Sequence, residues 1–192
     1  METEVRNMTR IDEASWTLSL RALFGEGMFA AVGARRHDDW RCDALDVMRL
    51  ATADPRGWPW LVSAPGGAPY PPGPNGPFGT VTPIYFNGVC PVSRRGAEQI
   101  MVTLQAEWFQ TNGIPNFSAR EAELTSHARK VLDRFGEDSL FFTNAVSARN
   151  KPHADMFSRE GAYEGFTEHV MDCGVIALSA TEVGAFWGFT ID

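Results

Sequence analysis

Residues 174–192 read GVIALSATEVGAFWGFTID and contain two apolar runs, 174–179 and 183–189, on either side of a short polar segment. This pattern is typical of a β-hairpin. Side chains alternate in the second run, with Val183, Ala185, Trp187 and Phe189 on one side and Gly184, Phe186 and Gly188 on the other. Glycines between large rings indicate that another element packs closely over the second side. We expect Trp187 to be buried against one of two amphipathic helices.

Those two helices have continuous apolar stripes and recognisable ends. The first begins after Ser93 and is predicted to end at Asn112-Gly113, whereas the second begins with the capping sequence SARE at 118–121 and ends at Gly136. The stripes are Ala97, Ile100, Met101, Leu104 and Trp108 in the first helix and Leu124, Ala128, Val131, Leu132 and Phe135 in the second. Shorter helices are predicted after Asp12 and over 42–52.

Strands are predicted over 58–63, 80–86 and 139–146, whereas periodicity does not separate strand from helix over 28–32 and 166–171. Residues 64–79 contain six prolines and five glycines, which predicts a long surface loop. Strand and helix segments cluster instead of alternating. The sequence therefore predicts one α+β domain, residues 1–192, with a mainly antiparallel sheet packed against two or more amphipathic helices and closed by the C-terminal β-hairpin.

The composition is that of an ordinary globular domain, with 192 residues, 44% hydrophobic and 21% charged. No apolar run approaches the roughly 18 residues of a membrane helix, so we expect no membrane association and a cytoplasmic location. Cys42, Cys90 and Cys173 are widely spaced, which predicts free thiols instead of a disulfide framework.

The negative charge is concentrated in the last third of the chain. Between Glu137 and Asp192, nine acidic residues face three basic ones, a net charge of −6 out of −7 for the whole chain. Nucleic acid is not an expected ligand, because phosphate binding requires concentrated Lys and Arg. A basic protein partner suits such a surface. The alternative interpretation is that the acidic surface only maintains solubility.

Sequence motifs for the common catalytic sites are missing. The chain has no phosphate-binding loop, no G-x-S-x-G and no H-E-x-x-H, and we expect no cofactor. The polar segment that begins at Asn150 places His153 and Asp155 two residues apart, with His169 further along the chain. These three residues are the candidate ligands of a metal site, or the centre of an acid–base site. The competing interpretation is a solvated polar loop. His37 lies in a charged segment with no partner identifiable from the sequence.

Aromatic and charged side chains in two segments are candidates for partner binding. Trp58 and Trp60 flank Pro59 beside the proline-rich loop, and joint exposure would make them a binding anchor. Packing of the loop against them is the alternative. The complete set of candidate partner-binding residues is Trp58, Trp60, Asp155, Arg159, Glu160, Tyr163 and Glu164.

The closing pattern, GVIA at 174–177, a short polar turn, Val183-Gly184, Phe186-Trp187 and a terminal acid, resembles the C-terminal end of small bacterial immunity proteins. These are cytoplasmic antidotes in polymorphic and contact-dependent toxin systems. The resemblance implies a non-enzymatic protein that binds one toxin domain tightly and blocks its active site. The alternatives are a small metal-dependent or acid–base enzyme centred on His153 and Asp155, and a structural or phage-type assembly protein that docks through the 64–79 loop.

Overall fold

The structure is a computed structural model that describes residues 11–25, 27–64, 68–73, 76–158, 163–169 and 171–190. The strands in these residues are β1 Met28–Ala34, β2 Leu61–Val62, β3 Cys90–Val92, β4 Leu140–Thr143, β5 Asp172–Leu178 and β6 Glu182–Phe189. They form one antiparallel sheet in the order β2-β1-β6-β5-β4-β3. The helices are α1 Glu13–Leu23, α2 Trp40–Met48, α3 Arg94–Thr103 and α4 Phe117–Asp133. The predicted α+β class is confirmed.

The C-terminal hairpin lies in the middle of the sheet. β5 and β6 pair from Asp172↔Phe189 to Leu178↔Val183, and β6 also pairs with β1 along its length. Every residue of β5 and β6 is buried. The hairpin β5-β6 therefore joins one part of the sheet, β2-β1, to the part formed by β4 and β3.

One face of the sheet is covered by α1, α3 and α4, and the glycine side of β6 lies against it. A Cβ atom at Gly184 would lie 2.5 Å from the Phe135 ring, and one at Gly188 would lie 2.9 Å from the Phe109 ring. Real Cβ atoms do not approach neighbours so closely, so these positions require glycine. The predicted close packing over this side of the hairpin is confirmed.

The opposite face carries Trp187, and the expectation that this ring packs on the helix stripes is wrong. Trp187 is fully buried, but it lies against Phe166, with ring centroids 5.0 Å apart, and against Phe78 at 5.9 Å. Alternation along β6 places Phe186 and the glycines toward the helices, so Trp187 points the other way. This second layer consists of α2 and of loop segments.

Phe78 shows that part of the Pro/Gly-rich loop belongs to the core. Its side chain is completely buried, and it contacts Phe29 of β1 as well as Trp187. The predicted strand at 80–86 is instead a 3₁₀ turn, Pro83–Gly88. Pro83 has no N–H to donate to a ladder, which favours the turn. Residues 65–67 and 74–75 of the loop lie outside the described residues.

Several element ends differ from the predictions. The helix after Ser93 ends at Thr103, not at Asn112, and the next helix begins at Phe117 after Asn116 in a left-handed conformation, not at a Ser118 cap. At the end of α3 the Gln105 side-chain amide donates to the Val102 carbonyl, a local bond that replaces continuation of the helix. Over 166–171, the described residues form bends, neither strand nor helix.

The strand predicted over 58–63 is reduced to β2, and the strand predicted over 139–146 to β4. Among the described residues, no helix has the length and apolar character needed to cross a membrane.

Candidate functional site

Two histidines sit in arrangements that resemble catalytic groups. His37 Nδ1 lies 2.7 Å from Asp43 Oδ1, and the same oxygen accepts from the backbone N–H groups of Arg36 and His37. No serine, threonine or cysteine of the described ranges is bonded to this imidazole. The bonds to the Asp43 carboxylate hold the loop before α2 in place, which is a structural role.

The second arrangement is a Ser–His–Glu chain between α1 and α4. Ser19 Oγ lies 3.2 Å from His127 Nδ1, and His127 Nε2 lies 3.9 Å from Glu123 Oε1. Ser19 is only 1% exposed, so a substrate does not reach its hydroxyl. This chain therefore serves the contact between two helices and not nucleophilic catalysis.

The three candidate metal ligands are not brought together. Asp155 accepts from the Gln99 amide of α3 at 2.7 Å, on the helix face, whereas the His169 ring lies 4.7 Å from the ring of Phe189, whose side chain is on the opposite face. His153 is exposed. The part of the chain that the structure describes contains no group of three His, Cys, Asp or Glu residues placed to hold a metal ion. In the described residues, His153 and Asp155 do not form an assembled acid–base site.

Asp155 instead anchors its own loop. The Ser158 hydroxyl, the Phe157 N–H and the Gln99 amide all donate to it, and these bonds lower the pKa of Asp155, with the bond from Ser158 the largest cause. A carboxyl whose folded-state pKa is lowered stabilises the fold at neutral pH. This contribution is lost as the pH falls through the folded-state pKa.

Trp58 and Trp60 do not form a joint exposed pair. Trp58 packs on the helix face, 5.5 Å from the Trp16 ring, whereas Trp60 belongs to the second layer and donates from Nε1 to the Val32 carbonyl at 3.1 Å. Both are half-buried. In the free protein the two rings are therefore packed on opposite faces of the sheet: Trp60 belongs to the cluster that contains loop residues, whereas Trp58 packs on α1 and not on the described residues of the loop.

The acidic last third is not one surface. Asp172 is fully buried and accepts from Trp187 Nε1, Asn144 and Thr167, and Glu182 is buried in an ion cluster. Glu137 lies beside Thr181, at the hairpin-turn end of the sheet. Arg159, Glu160 and Asp192 lie outside the described residues. Tyr163 and Glu164, however, are brought to the other end, beside a cleft.

The cleft lies where β1 begins and β6 ends, between the C-terminal ends of α1 and α3. Its volume is about 580 Å³ and it opens to solvent. Residues that line this Trp108 cleft include Arg21, Met28, Gln105, Glu107, Trp108 and Phe189. The sheet fixes its floor and two helix ends fix its walls, so the cleft is formed without a partner.

Trp108 stands at the cleft in a conformation that tryptophan rarely adopts. Its φ is 58° and its ψ is 15°, and the next residue, Phe109, also has a positive φ of 52°. Left-handed backbone costs about 1–2 kcal/mol for a residue with a side chain. The rings of these two residues have different surroundings: Phe109 is buried against Gly188, whereas Trp108 remains 50% exposed.

Tyr163 supports this turn from a neighbouring segment, and Glu164 is the next residue along that segment. The Tyr163 hydroxyl approaches the carbonyls of Trp108 and Phe109 at 3.4 and 3.5 Å, and its ring contacts Phe109 edge-on. The Glu164 N–H donates to the Asn144 carbonyl, and its side chain forms an exposed ion pair with Arg149. One of the predicted binding residues, Tyr163, thus lies next to an exposed tryptophan, and a second, Glu164, follows it in the sequence.

The prediction that Trp108 belongs to the apolar stripe of the helix after Ser93 is wrong. Its spacing of four from Leu104 fits a helix, and no residue type in QAEWFQ at 105–110 signals left-handed backbone. The nearby Asn112-Gly113 predicts that the helix ends, but it does not predict a left-handed turn at Trp108.

Comparisons of the chain with protein-family models, with curated proteins and with solved structures gave no match. The candidate site therefore rests on its own geometry: a preformed cleft, an exposed tryptophan held in a strained turn, and a tyrosine that contacts the backbone of that turn.

Proposed function

We propose that this protein is a non-enzymatic binding protein that neutralises a bacterial toxin domain by tight association, in the manner of immunity proteins. The observation that carries the proposal is the exposed indole of Trp108 in a left-handed turn beside the cleft. Tryptophan is enriched among the residues that dominate protein–protein affinity. An enzyme is less well supported, because the described residues assemble neither a metal site nor an accessible nucleophile–base pair.

Backbone strain at Trp108 supports a role in binding. A turn that served the fold alone would be relaxed by glycine, which adopts positive φ at no steric cost. The chain instead places a large ring there and leaves half of it in water. Strained residues of this kind cluster at ligand-binding sites, where the surrounding packing holds them in place.

The test requires a partner, and the polypeptide encoded immediately upstream of this gene is the one to express and purify. We expect Trp108→Ala to weaken the complex by about 2 kcal/mol or more, which is roughly thirtyfold in Kd. Isothermal titration calorimetry measures this directly. Leu140→Ala is the matched control, because Leu140 is an apolar residue 60% exposed at the other end of the sheet, and it should leave Kd unchanged.

Trp108→Gly separates binding from folding. Because glycine removes the left-handed strain, this variant should unfold at the same temperature as the parent or a higher one, and still lose binding. The proposal is contradicted if the upstream polypeptide does not bind the parent protein, or if both Trp108 variants bind it normally.

The charge of the partner is expected to be basic. Glu107, Glu164 and Glu168 are exposed at or near the cleft end of the sheet. If they attract a basic surface, the association rate should fall as salt concentration rises, while the dissociation rate changes less. Glu164→Lys should slow association more than Glu137→Lys, which changes the net charge equally at the opposite end. Stopped-flow measurements that show a salt-independent association rate would contradict this expectation.

A further inference from the structure

We propose that the Trp108 cleft receives the guanidinium group of an arginine side chain from the partner. This inference rests on the proposed function for the source of the arginine, but the chemistry of the cleft can be tested without any partner. The cleft volume, about 580 Å³, lies within the range of small-ligand sites, so an arginine side chain fits.

Two helix C-termini converge on the cleft and make it electronegative. Residues 21–24 at the end of α1 and residues 104–106 after the end of α3 both line it. A helix C-terminus carries roughly half a negative charge from its unpaired carbonyls. Within the described residues, no hydrogen bond is donated to the Ala22 or Leu23 carbonyl. Ala22 and Leu23, which carry those oxygens, line the wall of the cleft.

Glu107 and Trp108 provide the two remaining features of a guanidinium site. The Glu107 carboxylate is exposed beside the cleft, and the face of an exposed indole attracts a cation through its quadrupole. Arginine suits this combination better than lysine, because its planar group stacks on a ring while donating in several directions to carbonyls and a carboxylate. The same Trp108 turn thus serves both shape and charge recognition.

Arg21 is the charge at the cleft that opposes a cation. It is exposed in the last turn of α1, and its positive charge offsets that of Glu107. The partial negative charges of the two helix ends then favour a cation in the cleft. Removing the positive charge of Arg21 should therefore strengthen cation binding, whereas removing the negative charge of Glu107 should weaken it.

The experiment uses the full chain, isotopically labelled, and Nα-acetyl-arginine methylamide as the probe. We expect saturable NMR shifts of the Trp108 indole N–H and the Gln105 backbone N–H. The citrulline analogue, which has nearly the same shape without the charge, should produce no saturable shift. Glu107→Gln should weaken probe binding by about two- to fivefold, as for an exposed ion pair. Trp108→Ala should weaken it roughly fivefold or more.

Arg21→Gln should tighten probe binding by a similar two- to fivefold factor. The inference is overturned if citrulline binds equally well, if the shifts map outside the cleft, or if Arg21→Gln weakens binding. Failure of the proposed function is distinguishable: a protein that binds the arginine probe but not the upstream polypeptide keeps its guanidinium site and has a different partner. A protein that binds the upstream polypeptide but not the arginine probe would keep the proposed function and lack the guanidinium site.

Discussion

Replacing Trp187 with alanine is expected to lower the free energy of unfolding by about 3–5 kcal/mol, the range for large buried aromatic side chains. For a chain of this size each kcal/mol lowers Tm by about 2–4 °C, so Tm should fall by roughly 10 °C or more. Thermal and chemical denaturation of the purified variant measure both quantities.

The expected loss follows from where the ring lies. Trp187 is fully buried at the centre of the second layer, between Phe166 and Phe78, and its Nε1–H donates to the buried carboxylate of Asp172 at 2.9 Å. Truncation leaves a cavity that rings held by the sheet and by two loop segments fill only partly. It also removes one of the hydrogen-bond donors to the buried carboxylate of Asp172.

Trp187→Phe distinguishes the two contributions. Phenylalanine retains most of the packing and loses the hydrogen bond, so we expect a cost of about 1–3 kcal/mol. Trp108→Ala, which truncates an exposed tryptophan, should change stability by no more than about 0.5 kcal/mol. If Trp187→Ala instead left Tm unchanged and abolished partner binding, the C-terminal hairpin would be an interface and its packing role would be wrong.

The hairpin was predictable because alternation of side chains is a local property. The interleaved glycines of β6 correctly predicted a closely packed layer, now seen as Phe135 and Phe109 over Gly184 and Gly188. Periodicity shows which residues share a face, but not which layer covers that face. Trp187 was therefore correctly predicted to be buried and wrongly placed against the helices.

The candidate site was less accessible to sequence reasoning, because its parts are joined by tertiary contacts. Tyr163 and Glu164 were named as binding residues, but nothing local connected them to Trp108, 55 residues away from Tyr163 along the chain. The charge count likewise treated Asp172 and Glu182 as surface charges. Both are buried, since each finds its donors in other segments of the chain.

Arg134 is the second residue whose replacement should have a large effect. Its side chain is fully buried just after α4, where it donates to Glu182 of β6 at 3.0 and 3.1 Å and to Asp54 at 2.9 Å. The guanidinium carbon lies 4.9 Å from the Trp16 ring and 4.8 Å from the Trp58 ring. The cluster therefore ties α1, α4, β6 and the 54–58 segment together.

Arg134 stays charged over the physiological pH range. Burial by itself would lower the pKa of Arg134, but the hydrogen bonds to Asp54 and Glu182 outweigh burial and raise the pKa above its ordinary value. Because the folded-state pKa is raised, the stabilising contribution is fully present below the unfolded-state value and is lost only as the pH rises through the folded-state value. Acidic and neutral conditions do not remove the positive charge.

Arg134→Met should therefore cost about 3–5 kcal/mol, because it leaves two buried carboxylates without their shared cation. Arg56→Ala is the matched control: Arg56 also binds Glu182, at 2.9 Å, but is partly exposed, so its loss should cost about 1 kcal/mol. Adding Glu182→Gln to Arg134→Met should recover part of the loss, since one unpaired charge disappears. Urea denaturation of the parent, Arg134→Met, Glu182→Gln and the variant with both changes closes a double-mutant cycle, and Arg56→Ala is measured beside it. Equal costs for Arg134→Met and Arg56→Ala would show that the buried cation is not what holds these four segments together.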